Sequence, residues 1–194
     1  MTLFKNQYRI ESARLKEWDY SRYGYYFVTI CTKDKQYSFG DIVGDKMKLS
    51  EIGKIVAGEW RKTESIRNYA KLDEWVIMPN HLHGIIIIQN DDKNVETHGH
   101  ASQSPHIACG DAFDASLRKD NLSNIIRGFK SATVKKAHQK GFTNFAWQSR
   151  FYDHIIRNEK ELHDIRQYIV NNPLKWQLDE ENQNNIKKQT DNKT

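Results

Sequence analysis

Residues 81–89, with the sequence HLHGIIIIQ, constrain the fold more than any other part of the chain. Four consecutive isoleucines are too apolar for a strand with one face in water, so they predict a strand buried on both faces, in the centre of a sheet. Pro79 and Asn80 interrupt the apolar pattern just before it, which separates it from a second predicted strand over 71–78.

The other apolar segments predict an α+β sandwich with a largely antiparallel central sheet and helices packed on it. Ser50 and Ser123 are good N-caps for two helices, and Pro173 is expected to end a third. Further strands are predicted over 24–32 and in two pieces of 40–50 around a Gly44-Asp45 turn, helices over 51–65, 122–140 and 158–172, and an extended segment over 144–157.

The length of 194 residues fits one domain of ordinary size, predicted here to cover 1–177. Residues 90–120 are polar without a clear period and are interpreted as a mobile loop, and 178–194 as a polar, disordered tail. No long apolar run is present, so neither a signal peptide nor a membrane span is predicted, and a cytoplasmic location is expected. Cys31 and Cys109 form no CxxC pair, which argues against a thiolate zinc site or a disulfide framework.

His81 and His83 are the sharpest local signal for chemistry. In a strand, residues i and i+2 project to the same face, so the two imidazoles meet while Leu82 points into the opposite layer. Such a pair can present two nitrogen ligands to a divalent ion, although a hydrogen-bonded histidine pair has the same spacing. A second pair, His98-Gly99-His100, falls in the polar loop and lacks a rigid element to hold a metal.

Tyr168 and Asn172 are the second signal, because their i, i+4 spacing stacks them on one face of the last helix. A phenol with a pKa near 10 attacks phosphate poorly unless a metal polarises the phosphoryl oxygens. Two histidines and Asn172 would suit Mg²⁺ or Mn²⁺ and leave coordination positions open. The alternative is a core-edge aromatic residue followed by a helix C-cap.

Basic residues lie near these elements, and the formal net charge of +5 favours a polyanionic partner such as DNA. Cations interleaved with aromatic rings suit single strands, although most lysines and arginines only solvate a surface. His154 could support the metal shell or the DNA, or be a satisfied, partly buried histidine. The candidate DNA-binding residues are Arg14, Arg127, Lys130, Arg150 and Arg157.

Several strings resemble one known group. DEWVIMPNHLHGIIII resembles the HUH motif of single-tyrosine transposases, in which two histidines flank a bulky apolar residue. FAWQSRFYDHIIRNEKELHDIRQYIVNNPLKW is similar to the tyrosine-helix region of REP-associated tyrosine transposases. DYSRYGYYFVTICT, LSEIGKIVAGEW and LSNIIRGFKSA look like the same group, and the resemblance runs from about Arg9 to Trp176.

The resemblance implies a ferredoxin-like α+β fold, with the HUH pair on a central strand and the tyrosine on a C-terminal helix. It implies that His81, His83 and Asn172 bind the metal and that Tyr168 is the nucleophile. It further implies an enzyme that recognises hairpin DNA, cuts a single strand through a 5′-phosphotyrosine and rejoins strands, as a monomer or a homodimer that exchanges the tyrosine helix.

Three alternatives stay open from the sequence. Tyr152 competes with Tyr168 as nucleophile, although only Tyr168 lies one helical turn before a potential ligand. The chain could instead be a non-catalytic hairpin-binding protein on the same scaffold, or a metal-dependent nuclease that uses water.

Overall fold

A computed structural model describes residues 18–89, 121–179 and 181–182. The predicted mobile loop over 90–120, with the His98-Gly99-His100 pair, and the predicted tail from 183 onward lie outside the described residues. Arg14 lies outside them as well.

The described residues form six strands and three α-helices. The strands are β1 Gly24–Cys31, β2 Gly40–Val43, β3 Lys46–Leu49, β4 Ala70–Ile77, β5 His81–Ile88 and β6 Tyr152–Ile156; the helices are α1 Glu51–Ile66, α2 Leu122–Gln139 and α3 Glu159–Asn171. The central sheet has four antiparallel strands in the order β4-β5-β1-β6. With the helices, the chain order is β1, α1, β4, β5, α2, β6, which is the βαββαβ order of the ferredoxin-like sandwich and confirms the predicted fold class. A small hairpin of β2 and β3 is inserted before α1, and α3 follows β6.

All three predicted helix starts agree with the structure within one residue, and of the two predicted caps one is confirmed. Ser50 caps α1, where its side chain accepts a hydrogen bond from the backbone N–H of Gly53, and Asn158 caps α3 in the same way. For α2 the predicted cap Ser123 is wrong: Asn121 accepts from the N–H of Asn124. Pro173 ends α3 as predicted, and a 3₁₀ helix, Pro173–Leu178, follows it.

Both faces of the sheet are covered, and β5 is central and buried on both faces as the isoleucine run predicts. One face packs on α1 and α2 in the large core, which includes Trp60, Leu82 and Ile86. The opposite face packs on α3 in a smaller core made of Phe27, Ile85, Ile156, Leu162 and Ile169. The alternation along β5 therefore directs Leu82 into the large core and leaves its neighbours His81 and His83 on the face of α3.

None of the helices within the described residues is long and apolar enough to cross a membrane.

Candidate active site

The two histidines of β5 meet on the face of the sheet that carries α3. Both side chains are buried, and their Nε2 atoms lie 2.9 Å apart. Asn80 Oδ1 accepts a hydrogen bond from His81 Nδ1 (2.8 Å), because the amide nitrogen of Asn80 already donates to two backbone carbonyls. This bond places the proton of His81 on Nδ1 and leaves its Nε2 as a lone-pair donor.

His83 is oriented by β1. The hydroxyl of Thr29, its partner across the β1–β5 ladder, hydrogen-bonds His83 Nδ1 at 2.8 Å. A hydroxyl can donate or accept, so His83 can present either a proton or a lone pair on Nε2. The ring of Phe27 stacks on the imidazole with centroids 5.4 Å apart. Residues of β1 therefore hold the His83 ring at one edge, through Thr29, and on one face, through Phe27.

Burial keeps both imidazoles neutral. Loss of hydration lowers the pKa of His83 to about 3 and lowers that of His81 well below its ordinary value, with the neighbouring His83 as a further cause for His81. Neutral imidazole is the form that binds metals. The sheet thus holds two histidines in the protonation state that a metal ligand needs.

Tyr168 reaches this pair from α3. Its phenol oxygen lies 3.2 Å from His83 Nε2, and its ring packs edge-on against Phe27 with centroids 6.1 Å apart. The side chain is still 45% exposed, so the oxygen borders both the histidines and solvent. The competing Tyr152 lies on β6 at the rim of the same cavity, 52% exposed, and the hydrogen bond to the histidine pair comes from Tyr168.

Asn172 follows Tyr168 by one helical turn and is buried. Its side-chain oxygen has no hydrogen-bond partner among the described residues. A buried amide oxygen without a partner costs about 1–3 kcal/mol, which calls for an explanation such as a ligand. Asn172 lines the cavity that also contains His83 and Tyr168, so an ion or water bound beside it would supply the missing partner.

Asp179 is a site residue that the sequence reasoning missed. One ligand atom from each of His81, His83 and Asp179 lies within 4.8 Å of the other two, so this group could hold a metal ion. The residue falls within 178–194, the polar segment that the sequence predicts to be a disordered tail. The separation of nearly a hundred residues from the histidines left no local signal for it.

The chain after α3 is fastened beside the site. Glu181 forms an ion pair with Lys35 (3.0 Å), and its backbone carbonyl accepts a hydrogen bond from the side chain of Asn80 (2.7 Å). Tyr37 donates to the side-chain oxygen of Asn182 at 2.7 Å. These contacts hold Asp179 against the histidines, and we call residues 173–179 together with 181–182 the C-terminal strap.

The cavity has a volume of about 580 Å³ and is bordered by β1, β5, β6, α3 and the strap. This size falls in the range of small-molecule sites, which is about 300–1,000 Å³. Its rim carries the exposed cation Lys175. Its lining residues are Phe27, Thr29, His83, Tyr152, Tyr168, Asn172, Lys175, Leu178, Asp179 and Glu181.

The predicted DNA-binding residues have different environments. Arg127, Arg150 and Arg157 are exposed. Lys130 is half-buried instead, and its ammonium donates to the backbone carbonyls of Gln148 (2.7 Å) and Arg150 (2.9 Å). Burial lowers the pKa of Lys130 to about 8. These bonds give Lys130 a structural role in fastening the segment before β6.

His154 lies on β6 and hydrogen-bonds Glu161 of α3 at 2.6 Å. The carboxylate of Glu161 also accepts from the backbone N–H of Arg157 at 2.7 Å. The imidazole therefore ties β6 to the first turn of α3, near the cavity that His83 lines.

Three comparisons place the chain among known proteins. No family model matches it. An uncharacterised protein of Haemophilus influenzae is 36% identical over 172 residues, which cover 87% of this chain and 91% of that relative. A solved structure of a REP-associated tyrosine transposase bound to a REP hairpin superposes with a TM-score of 0.56 at 22% identity, over 86% of this chain and 74% of that one. The structural likeness shows a shared α+β fold.

Proposed function

The chain belongs to one family with the Haemophilus influenzae protein, and we propose that it cleaves and rejoins single-stranded DNA through a covalent phosphotyrosine formed at Tyr168. The observation that carries the proposal is the 3.2 Å distance between the phenol oxygen of Tyr168 and Nε2 of His83. A tyrosine that approaches a metal-ligating face, yet stays open to solvent, is placed to attack a phosphate bound there. The fold shared with a REP-associated tyrosine transposase is consistent with this reaction.

His81 and His83 would hold a divalent cation, Mg²⁺ or Mn²⁺, with oxygen ligands from Asn172 and Asp179. The donor set of two neutral imidazoles, one amide and one carboxylate suits these ions, and Mn²⁺ tolerates imidazole better than Mg²⁺ does. The partnerless oxygen of Asn172 supports a ligand at this place. A cation bound there would polarise the scissile phosphate and stabilise the charge that develops on its oxygens.

The protein's own part is to position the nucleophile. Phe27 and His83 fix the ring of Tyr168, and the rim cation Lys175 faces the incoming phosphodiester. In the cleavage step the phenol oxygen forms a bond to phosphorus while the bond from phosphorus to the 3′ oxygen breaks. The phenol loses its proton, the departing oxygen gains one, and a 5′-phosphotyrosine and a free 3′-OH result. A second 3′-OH reverses the step, so strands are rejoined without another energy source.

The proposed substrate is a DNA hairpin with a single-stranded flank. The solved structure with the same fold contains a REP hairpin, and the exposed residues Arg127, Arg150 and Arg157 supply positive charge for a phosphate backbone here. Tyr168 reaches His83 of its own chain, so the site needs no helix from a second copy. That arrangement supports action as a monomer.

A covalent-adduct assay tests the proposal. The protein is incubated with Mn²⁺ and end-labelled hairpin oligonucleotides from the DNA beside its gene, and the products are separated under denaturing conditions. We expect a protein–DNA adduct that Tyr168→Phe abolishes and that Tyr152→Phe, the matched control at the same cavity, retains. An adduct that persists in Tyr168→Phe and disappears in Tyr152→Phe would reassign the nucleophile.

The same assay separates the two alternatives. Cut DNA without any adduct, at an unchanged rate in Tyr168→Phe, would indicate a nuclease that uses water. Tight binding that needs no metal and gives no product under any divalent ion would indicate a non-catalytic hairpin-binding protein.

A further inference from the structure

A second cavity adjoins the proposed active site. It has a volume of about 470 Å³ and lies between β6 and the first half of α3. Phe27 and Tyr152 line both cavities, so the two are neighbours that share these residues as a wall. We call this second cavity the β6–α3 groove; its other lining residues include His154, Lys160, Glu161 and Asp164.

Tyr152 is the aromatic platform of this groove. Its ring packs edge-on against Phe27 with centroids 6.3 Å apart, and 52% of its surface is exposed. The same Phe27 ring contacts Tyr168, so it fixes the position of Tyr152 relative to the proposed nucleophile. A large ring that is held on one side and open on the other is suited to stack on a nucleobase.

The charges of the groove favour a base over a phosphate. Its lining carries two carboxylates, Glu161 and Asp164, against one ammonium, Lys160, so its charge balance is acidic and carboxylates repel phosphate. The oxygens of Glu161 are already bonded to His154 and to the backbone of Arg157. Asp164 is exposed at the groove and offers acceptor oxygens. Carboxylates accept hydrogen bonds from exocyclic amino groups of bases, and thymine has no such group.

Asp164 and Tyr168 stand at i and i+4 on α3, so they share one helix face about 6 Å apart along the axis. A base that reaches Asp164 therefore belongs to a nucleotide next to the phosphate at Tyr168. Because Phe27 and Tyr152 line both the active-site cavity and the groove, a strand bound in one cavity has only this shared wall to cross to reach the other.

We infer that the β6–α3 groove binds the nucleobase that flanks the scissile phosphate, with Tyr152 stacking on the base and Asp164 accepting from its exocyclic amino group. This inference rests on the proposed function, since it assumes that single-stranded DNA enters the site. It assigns the groove a preference for cytosine, adenine or guanine over thymine.

Binding measurements in a Tyr168→Phe background test the inference, because that variant leaves the bound strand uncut. The probes are fluorescein-labelled hairpins that carry a flank of dC, a flank of dT, or no flank, and affinity is measured by fluorescence anisotropy. Tyr152→Ala is expected to weaken binding of the dC-flanked hairpin by about 5- to 150-fold, which is the range for loss of one stacked base. Tyr152→Phe is expected to keep most of the affinity.

Two controls make the result specific. The hairpin without a flank is expected to bind Tyr152→Ala as tightly as the parent, which excludes a general loss of fold. Asp164→Ala is expected to reduce the preference for dC over dT by about fivefold or more, while binding of the dT flank stays unchanged. The inference is wrong if Tyr152→Ala binds the flanked probes normally, or if it loses flanked and unflanked probes equally.

The adduct assay and the binding measurements together distinguish failure of this inference from failure of the proposed function. If the wild-type protein forms the adduct and Tyr152→Ala binds the flanked hairpin with unchanged affinity, the inference about the groove is wrong and the proposed phosphotyrosine reaction stands. A flank-dependent loss in Tyr152→Ala without any wild-type adduct would keep the groove as a binding site and overturn the cleavage reaction. A protein that binds none of the probes would overturn both.

Discussion

The carboxylate of Glu181 lies 3.0 Å from the ammonium of Lys35, and this ion pair fastens the C-terminal strap beside the histidines of β5. The strap delivers Asp179 to within ligand distance of His81 and His83. The candidate metal site therefore combines residues of a central strand with a residue that follows the last long helix.

Asp179→Asn is expected to weaken Mn²⁺ binding by about tenfold or more, because it removes the one charged ligand of the proposed donor set. Mutation of residues that only hydrogen-bond to metal ligands already lowers metal affinity by about 10- to 100-fold. Isothermal titration calorimetry of the folded protein measures it. Asp41→Asn, which alters an exposed carboxylate on β2, is the control. Equal affinity in Asp179→Asn and in the parent would remove Asp179 from the site.

The buried histidines predict a stability that falls in acid. Their pKa values are lower in the folded protein than the ordinary value near 6.5, so the unfolded chain binds more protons as pH falls below that value. The stability is fully present above about pH 6.5 and is lost below it, by up to about 1.4 kcal/mol per pH unit for each histidine. Urea unfolding of the metal-free protein at several pH values measures this slope.

His83→Gln is expected to flatten that pH dependence, since it removes one of the two groups. The exposed His163 on α3 provides the matched control, and His163→Gln is expected to leave the slope unchanged. An equal slope in His83→Gln and in the parent would contradict the assignment to the buried pair.

Lys130 and Arg127 lie on the same helix and predict opposite phenotypes. Lys130→Ala leaves the carbonyls of Gln148 and Arg150 without their donor, so we expect a loss of about 1–3 kcal/mol in the free energy of unfolding. Arg127→Ala is expected to leave stability within about 0.5 kcal/mol and to weaken hairpin binding with a smaller salt dependence. Urea unfolding and anisotropy at two salt concentrations separate the two effects.

Gly84 lies on the face of β5 that packs against the large core, between two tryptophans. A Cβ at this position would come within 2.7 Å of the ring of Trp60 and 3.2 Å of Cβ of Trp75. Gly84→Ala is therefore expected to destabilise the protein by about 1–3 kcal/mol through overpacking. Gly58→Ala is the control, because a Cβ there meets nothing within 4 Å and alanine favours a helix by about 1 kcal/mol. Urea unfolding of both variants checks the difference in sign.

Much of the fold follows from short-range patterns that the sequence displays directly. The isoleucine run places β5 in the centre of the sheet, and the i, i+2 rule brings His81 and His83 together, because both depend only on strand geometry. The i, i+4 rule likewise sets Tyr168 and Asn172 on one face of α3. The assignment of roles to Tyr168, Asn172 and the basic residues remains a prediction.

Other features depend on contacts that no local pattern carries. Asp179 is held near the histidines because the neighbouring Glu181 pairs with Lys35 and accepts a hydrogen bond from Asn80, and both partners stand far from it in sequence. Lys130 is one of several basic residues whose pattern in the sequence is typical of phosphate binding. Its ammonium nevertheless donates hydrogen bonds to backbone carbonyls. Asn121 caps α2 instead of Ser123. Both residue types are good caps, so the sequence alone does not choose between two candidates that lie two positions apart.

The helix that carries Tyr168 is attached through the smaller of the two cores, whereas α1 and α2 share the larger one with the other face of the sheet. Lifting α3 away would expose only a limited apolar area, and the bulk of the folded domain would stay intact. Asn172 would move together with Tyr168, because it directly follows the last residue of the same helix. In the proposed reaction, a DNA strand bonded to that tyrosine could thus move away from the histidines and back again without any change in the sheet.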